Sequence, residues 1–218
     1  MKVVAVIPIK LNSERLPNKN IKPFSNGVPL CHYIFNTMLK VKGVDEVYVY
    51  CSSERIIPYL PAGVKYLKRD ECLDRNTTKI NEVLSAFAQD VPADIYVMSH
   101  TTAPFLKHTR IEEGLQAVRS GQYDSSFAVR RIQTFMWRDG QPMNYSLDDI
   151  PRTQDLTPVF YETSGFYIYR QEIINGFNRR VGEHPYMVEV DELEAVDIDN
   201  AGDFDFADQL IRADINLF

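Results

Sequence analysis

Apolar runs short enough for strands alternate with amphipathic stretches long enough for helices through the first 130 residues. No other feature narrows the fold of this chain as much. Residues 2–9, centred on Val3-Val4-Ala5-Val6-Ile7, read as a strand buried on both faces, and 29–41 as a helix with Pro29 at its first turn. Residues 45–51 give a second strand and 64–67 a short third; 79–88 follow as a helix with Ile80, Val83, Leu84 and Phe87 on one face. A fourth strand over 93–99, a helix over 109–120 with Thr109 as N-cap and Gly121 as stop, and a fifth strand over 125–129 continue the series. This alternation predicts an α/β fold whose sheet is mostly parallel and covered by helices on both faces.

The pattern then breaks. Residues 132–160 hold Trp137, Pro142, Pro151 and Pro158 without a clear period. An excursion of that length inside a compact domain is expected to be functional. Strand signals return at 159–169, 186–190 and 195–198, and a helix over 201–213 carries Phe204, Ala207, Leu210 and Ile211 as its stripe. The chain thus reads as one domain over 1–218 with 132–160 as an inserted arm.

Charge and cysteine usage exclude several classes. A net charge of −6 argues against broad nucleic-acid binding, which takes a basic surface, although a local basic loop still attracts a small anion. Cys31, Cys51 and Cys72 are too scattered for a disulfide framework or a zinc site. The N-terminus lacks a signal-peptide core, and no stretch nears the ~20 apolar residues of a membrane helix. The expectation is a soluble cytoplasmic protein with neither membrane nor nucleic acid as partner.

In open parallel sheets ligands sit beyond the carboxyl ends of the strands, where the strand order reverses. With the first strand central and the fourth beside it, the loops over 10–20 and 99–108 face one crevice. The first holds Lys10, Arg15 and Lys19, with Asn12, Ser13 and Asn20 as further polar groups. Lysines supply point charges and Arg15 can grip two oxygens at once, which suits a polyphosphate. The loop has no glycine, so it is neither a Walker loop nor a dinucleotide fingerprint. The second loop brings His100, Thr101 and Thr102; the threonines are either donors to an acceptor molecule or caps for the next helix. Asp197-Ile198-Asp199 alternates, so on a strand both carboxylates share one side. That suits Mg²⁺, held by one or two carboxylates plus phosphate oxygens and waters, though Asp-rich strand ends also cap helices. Glu189, Asp191, Glu192 and Glu194 read as a solvated surface run. No Ser/His/Asp or Cys/His spacing calls for a side-chain nucleophile.

Further pieces stand in a telling order. After Ile7-Pro8-Ile9-Lys10-Leu11-Asn12-Ser13-Glu14-Arg15-Leu16-Pro17-Asn18-Lys19-Asn20 come Ser52-Ser53-Glu54, then Arg69 with Asn76-Thr77-Thr78, then Thr101-Thr102-Ala103-Pro104-Phe105. Arg152-Thr153-Gln154-Asp155-Leu156-Thr157-Pro158, Ser164-Gly165-Phe166-Tyr167-Ile168-Tyr169 and Asp197-Ile198-Asp199 close the set. This ordered set resembles the cytidylyltransferases that activate acidic sugars, above all the CMP-N-acylneuraminate (sialic acid) synthetases, and the related CMP-Kdo synthetases. Their opening reads roughly I-P-A-R-x-x-S-x-x-x-P-x-K-N. The chain departs from it with Lys10 for the first Arg, which loses the bidentate fork, and with Leu11 and Asn12 for glycines. Asp70 replaces a Pro, and His100 replaces a Gln in the region associated with acceptor binding.

The resemblance implies a Rossmann-like, GT-A-like nucleotidyltransferase sheet. It implies transfer of CMP from CTP to a sialic-acid-like 2-keto acid, with release of pyrophosphate, in cell-surface polysaccharide biosynthesis. Lys10, Asn12, Ser13, Arg15 and Lys19 would cradle the triphosphate, while Asn20 and Arg69 would fix cytosine and ribose. Mg²⁺ would sit on Asp197 and Asp199, and Lys10, Arg15, Lys19 and Asp199 would carry the catalysis. His100, Thr101, Thr102, Arg152, Gln154 and Glu162 would meet the acceptor. The arm would form a homodimer and bring Arg152 and Gln154 to the neighbouring site. Three rivals stay open. A nucleotide-sugar-dependent glycosyltransferase is opposed by the cationic loop. A nucleotidyltransferase for a sugar phosphate or phosphonate is kept open by His100 and Lys10. A catalytically silent binding protein is opposed by the acidic pair.

Overall fold

Val3–Ile9 forms β1, the central strand of a seven-stranded sheet, in a computed structural model that describes residues 1–213. On one side lie β2 (Glu46–Cys51) and then β3 (Val64–Lys68); on the other lies β4 (Ile95–Ser99). Beyond β4 come β8 (Val159–Arg170), β5 (Ser125–Ile132) and β9 (Pro185–Glu189). All pairings are parallel except those of β8 with β4 and β5, so the sheet is mostly parallel, as the alternation predicts. The β1/β4 neighbourhood, with Val3 opposite Ile95 and Val6 opposite Met98, places the loops after both strands at one edge.

Helices cover both faces. Val3, Ala5, Ile7 and Ile9 pack with Ile34, Phe35 and Met38 of α1 (Leu30–Lys40) and with Ile111, Leu115 and Val118 of α3 (His108–Arg119). Val4 and Val6 pack with Val83, Leu84 and Phe87 of α2 (Ile80–Asp90) and with Ile173 and Ile174 of α4 (Gln171–Phe177). A strand enclosed on both faces has no polar face to show, which explains the unbroken apolar run of β1. A third apolar cluster joins Leu16, Phe24, Leu30 and Phe105 to Ile198 and to Phe204 and Ala207 of α5 (Ala201–Arg212). No helix among the described residues is long and apolar enough to cross a membrane.

Three local expectations are corrected, and one helix was not expected. Residues 195–198 are not a strand; the Ile198 N–H donates to the Thr102 carbonyl (2.9 Å), beyond the end of the sheet. Helix α3 starts at His108 with Lys107 in the capping position, so Thr109 lies inside it. Glu194 is not solvated: it is buried, accepts from Arg110 Nε (3.1 Å) and is thereby paired, which is what permits a buried carboxylate. Helix α4 has too few turns to show a period and escapes the sequence pattern.

Between β5 and β8 the chain makes the expected excursion, which holds a small hairpin, β6 (Trp137–Arg138) and β7 (Gln141–Pro142), and a 3₁₀ turn over Thr153–Asp155. Asn144 braces it by accepting from Met136 N (3.0 Å) and donating to Thr134 O (2.8 Å).

Close packing of α3 on the sheet depends on Gly114. A Cβ there would stand 2.6 Å from Ser126 Oγ, 3.0 Å from Phe166 Cε2 and 3.2 Å from Ile168 Cδ1. Helix propensity alone would favour alanine by about 1 kcal/mol, but overpacking costs about 1–3 kcal/mol. Gly114→Ala is therefore expected to lower the urea midpoint, and a midpoint at or above wild type would contradict this packing.

Candidate functional site

The basic loop is an arch pinned at two apolar points. Leu11 enters the core cluster beneath β1 and Leu16 the third cluster, leaving Asn12, Glu14 and Arg15 exposed between them. Asn18 turns the chain in the left-handed region (φ 55°), a conformation Asn tolerates better than most residues, and a single 3₁₀ turn over Lys19–Ile21 follows. Asn20 is buried and holds the arch from inside: it donates to the Lys10 carbonyl (2.7 Å) and accepts from Thr101 Oγ1 (2.7 Å). The loops after β1 and β4 are thus joined directly.

Arg15 meets Asp199 at 2.9 Å, and Lys19, buried, donates to the Ile198 carbonyl at 2.7 Å with Asp199 at 3.8 Å. Burial lowers the Lys19 pKa, and the charges of Asp199 and Asp197 oppose that. Lys10 Nζ donates to Asn76 Oδ1 (2.8 Å), whose amide donates to Glu14 (2.6 Å). Asn76 therefore links the basic loop to the segment after β3; its place in the ordered motif set was the only sequence signal for it. Lys10, Asn12, Ser13, Arg15, Lys19 and Asp199 line one cleft of about 210 Å³. An adjoining cleft of about 320 Å³ holds Lys10, Arg69, Asn76, Thr78 and His100. A larger cleft, about 600 Å³, opens beyond the arch over Ser52, Arg55 and Glu71 and shares only Asn12 and Ser13 with the first cleft. The smaller pair carries the loop cations Lys10, Arg15 and Lys19 together with Asp199.

Arg69 is buried and pairs with Asp74, which also accepts from Ser52 Oγ (2.5 Å). One guanidinium nitrogen, Nε, has no hydrogen-bond partner within the described residues. On β8, Glu162 accepts from the Tyr167 hydroxyl (2.5 Å). Burial, then this bond, pushes the Tyr167 pKa up to about 12, so the hydroxyl keeps its proton as donor at neutral pH. Arg152 and Gln154 line neither small cleft; Arg152 stands exposed on the arm and pairs with Asp155 at 2.7 Å.

Asp197 and Asp199 flank buried Ile198 in an extended segment. Asp197 has accessible surface yet is crowded from below; burial raises its pKa, opposed by a Thr102 hydrogen bond and by the Lys19 charge. Hard carboxylate oxygens with an unfavourable charge burden fit a hard divalent cation, provided phosphate and water fill the remaining positions. No group of three or more possible metal-binding side chains occurs among the described residues, so such an ion would depend on ligands from outside the chain.

Residues 4–210 match the family model described as Cytidylyltransferase. N-acylneuraminate cytidylyltransferase A of Danio rerio is 26% identical over 219 residues, covering 96% of this chain and 50% of that protein. The chain spans about half the length of the fish N-acylneuraminate relatives it matches. The 3-deoxy-manno-octulosonate cytidylyltransferase of Escherichia coli is 24% identical, covering 92% of this chain and 85% of that protein. The solved structure of CMP:2-keto-3-deoxy-manno-octonic acid synthetase complexed with CTP shares the fold, with a TM-score of 0.75 over 99% of this chain and 100% of that one at 19% identity.

Burial, then the charges of Arg180 and Lys19, push the His100 pKa down to about 4, although part of its surface meets solvent. A histidine held neutral contributes stability above its ordinary value of 6.5, and that contribution is lost as pH falls from 6.5 toward about 4. His100→Gln is expected to lose less of its urea midpoint than wild type between about pH 7 and about pH 4.5. Equal losses would show that His100 is not held neutral by the fold.

Proposed function

The chain belongs to the cytidylyltransferase family, and from that premise we propose that it transfers CMP from CTP to an acidic 2-keto sugar of the sialic acid or Kdo kind, releasing pyrophosphate. One observation carries the reading: the loop cations and Asp199, which lies 184 positions after Arg15, line a single cleft at the carboxyl edge of β1. Lys10, Ser13, Arg15 and Lys19 bind the triphosphate. Arg15 is well exposed, and an exposed ion pair is worth about 0–1 kcal/mol, so phosphate oxygens displace Asp199 from it at little cost. The acceptor hydroxyl oxygen attacks the α-phosphorus in line, the bond to the β-phosphate oxygen breaks, and pyrophosphate departs. Positioning and charge stabilisation suffice, so no Ser/His/Asp or Cys/His set is required. Asp197 and Asp199 would hold Mg²⁺, which when bound neutralises phosphate charge. The arm exposes Trp137, Leu147 and Ile150, apolar surface suited to a second copy of the chain.

The test is incubation with CTP, Mg²⁺ and a panel of 2-keto sugar acids, with sugar phosphates and phosphonates beside them, scored by pyrophosphate. CTP is expected to outperform ATP and UTP, and acids to outperform phosphates. Arg15→Ala is expected to cost about 2.7–4 kcal/mol of transition-state stabilisation, by analogy with loss of one oxyanion donor. Asp199→Asn is expected to reduce turnover comparably. Wild-type rates in either variant would remove that residue from the mechanism. For the arm, sedimentation at micromolar concentration should give a dimer that Ile150→Glu shifts toward monomer; a monomeric wild type would refute the dimer.

A further inference from the structure

Arg180 follows α4, just after Asn178 closes that helix in the left-handed region (φ 51°). Its neighbour Arg179 is engaged by Glu183 and lies over the Phe177 ring. Arg180 has neither an ion pair nor a hydrogen bond among the described residues; its guanidinium carbon lies 3.7 Å from the centre of the Tyr167 ring. It is only partly exposed. A partly desolvated cation without a counter-charge is unfavourable, and a ring face returns only about 0.5–2 kcal/mol. A guanidinium laid on a ring also leaves its N–H edge open, and a carboxylate matches that edge with two parallel hydrogen bonds.

The ring that carries this open edge is hydrogen-bonded to Glu162, which the resemblance assigns to the acceptor. Tyr167 beneath it donates to Glu162, and between them Ser164, with φ 58°, marks the irregular step of β8 against β5. Such steps redirect strand side chains beside active sites. His100, at the carboxyl end of β4, feels the charges of Arg180, Lys19 and Asp199 together. Arg180 itself lines neither of the two nucleotide-side clefts.

We propose that Arg180 binds the carboxylate of the acidic acceptor from within the same chain, as a specificity-determining residue; this rests on the transferase reading above. Arg152, by contrast, already faces its own Asp155 on the arm.

The experiment compares wild type, Arg180→Gln and Arg180→Lys with an N-acylneuraminic acid and 3-deoxy-manno-octulosonate, each as free acid and as methyl ester. The ester keeps the reacting hydroxyl and removes the negative charge. Arg180→Gln is expected to lower the preference for acid over ester by about 20- to 100-fold, through KM for the acceptor. KM for CTP should stay within about twofold of wild type, which also certifies the fold. Arg180→Lys, keeping the cation over Tyr167 but not the fork, should fall between. An unchanged acid-to-ester preference in both variants, with wild type active, overturns the role of Arg180 alone. A rise in KM for CTP instead overturns it in favour of a phosphate contact. A wild type inactive toward every acid overturns the transferase reading, and this inference with it.

Discussion

The hydrogen bond from Lys19 to the Ile198 carbonyl, 2.7 Å long and spanning 179 positions, fixes the frame on which the site depends. Lys19 is buried, and leaving a buried charge unpaired costs about 3–5 kcal/mol. The loop after β1 and the acidic segment before α5 are therefore held together by a contact that is expensive to break. The third apolar cluster acts in the same direction, since Leu16 of the loop and Ile198 between the two aspartates enter it together with Phe204. Polar and apolar contacts thus set one register for the cations and the carboxylates.

Within that frame the charges divide by exposure. Lys19 is buried and tied to the Ile198 carbonyl; Arg15 is exposed, and its pairing with Asp199 is correspondingly weak. A similar division separates Arg69, enclosed with Asp74 and Ser52, from Lys10, which rests on the neutral amide of Asn76. Enclosed and open residues alike line the two small clefts. The Tyr167–Glu162 hydrogen bond and the guanidinium over the Tyr167 ring form a separate polar group on β8 and the turn after α4.

Much of the fold was legible because burial follows period. The unbroken apolar run of β1 marked a central strand, and Val83, Leu84 and Phe87 marked the buried face of α2. Where a local pattern serves two masters, reading failed. Asp197-Ile198-Asp199 alternates like a strand, yet it lies past the sheet's edge, where Ile198 is buried by helix α5 and not by a neighbouring strand. Glu194 looked like part of a solvated run, and only the fold brings Arg110 against it. Arg180 sits in an undistinguished basic pair, and nothing local separates it from Arg179, whose partner Glu183 is four residues away.

The amino-acid order alone determined the α/β class, the burial of the first strand, and the concentration of Lys10, Arg15 and Lys19 in one glycine-free loop, because periodicity and residue chemistry are local properties. Which cation meets Asp199, which is walled in, and which is left without a counter-charge depended on contacts between residues distant along the chain. Burial and pairing are properties of the packed molecule, so only the tertiary structure decided them.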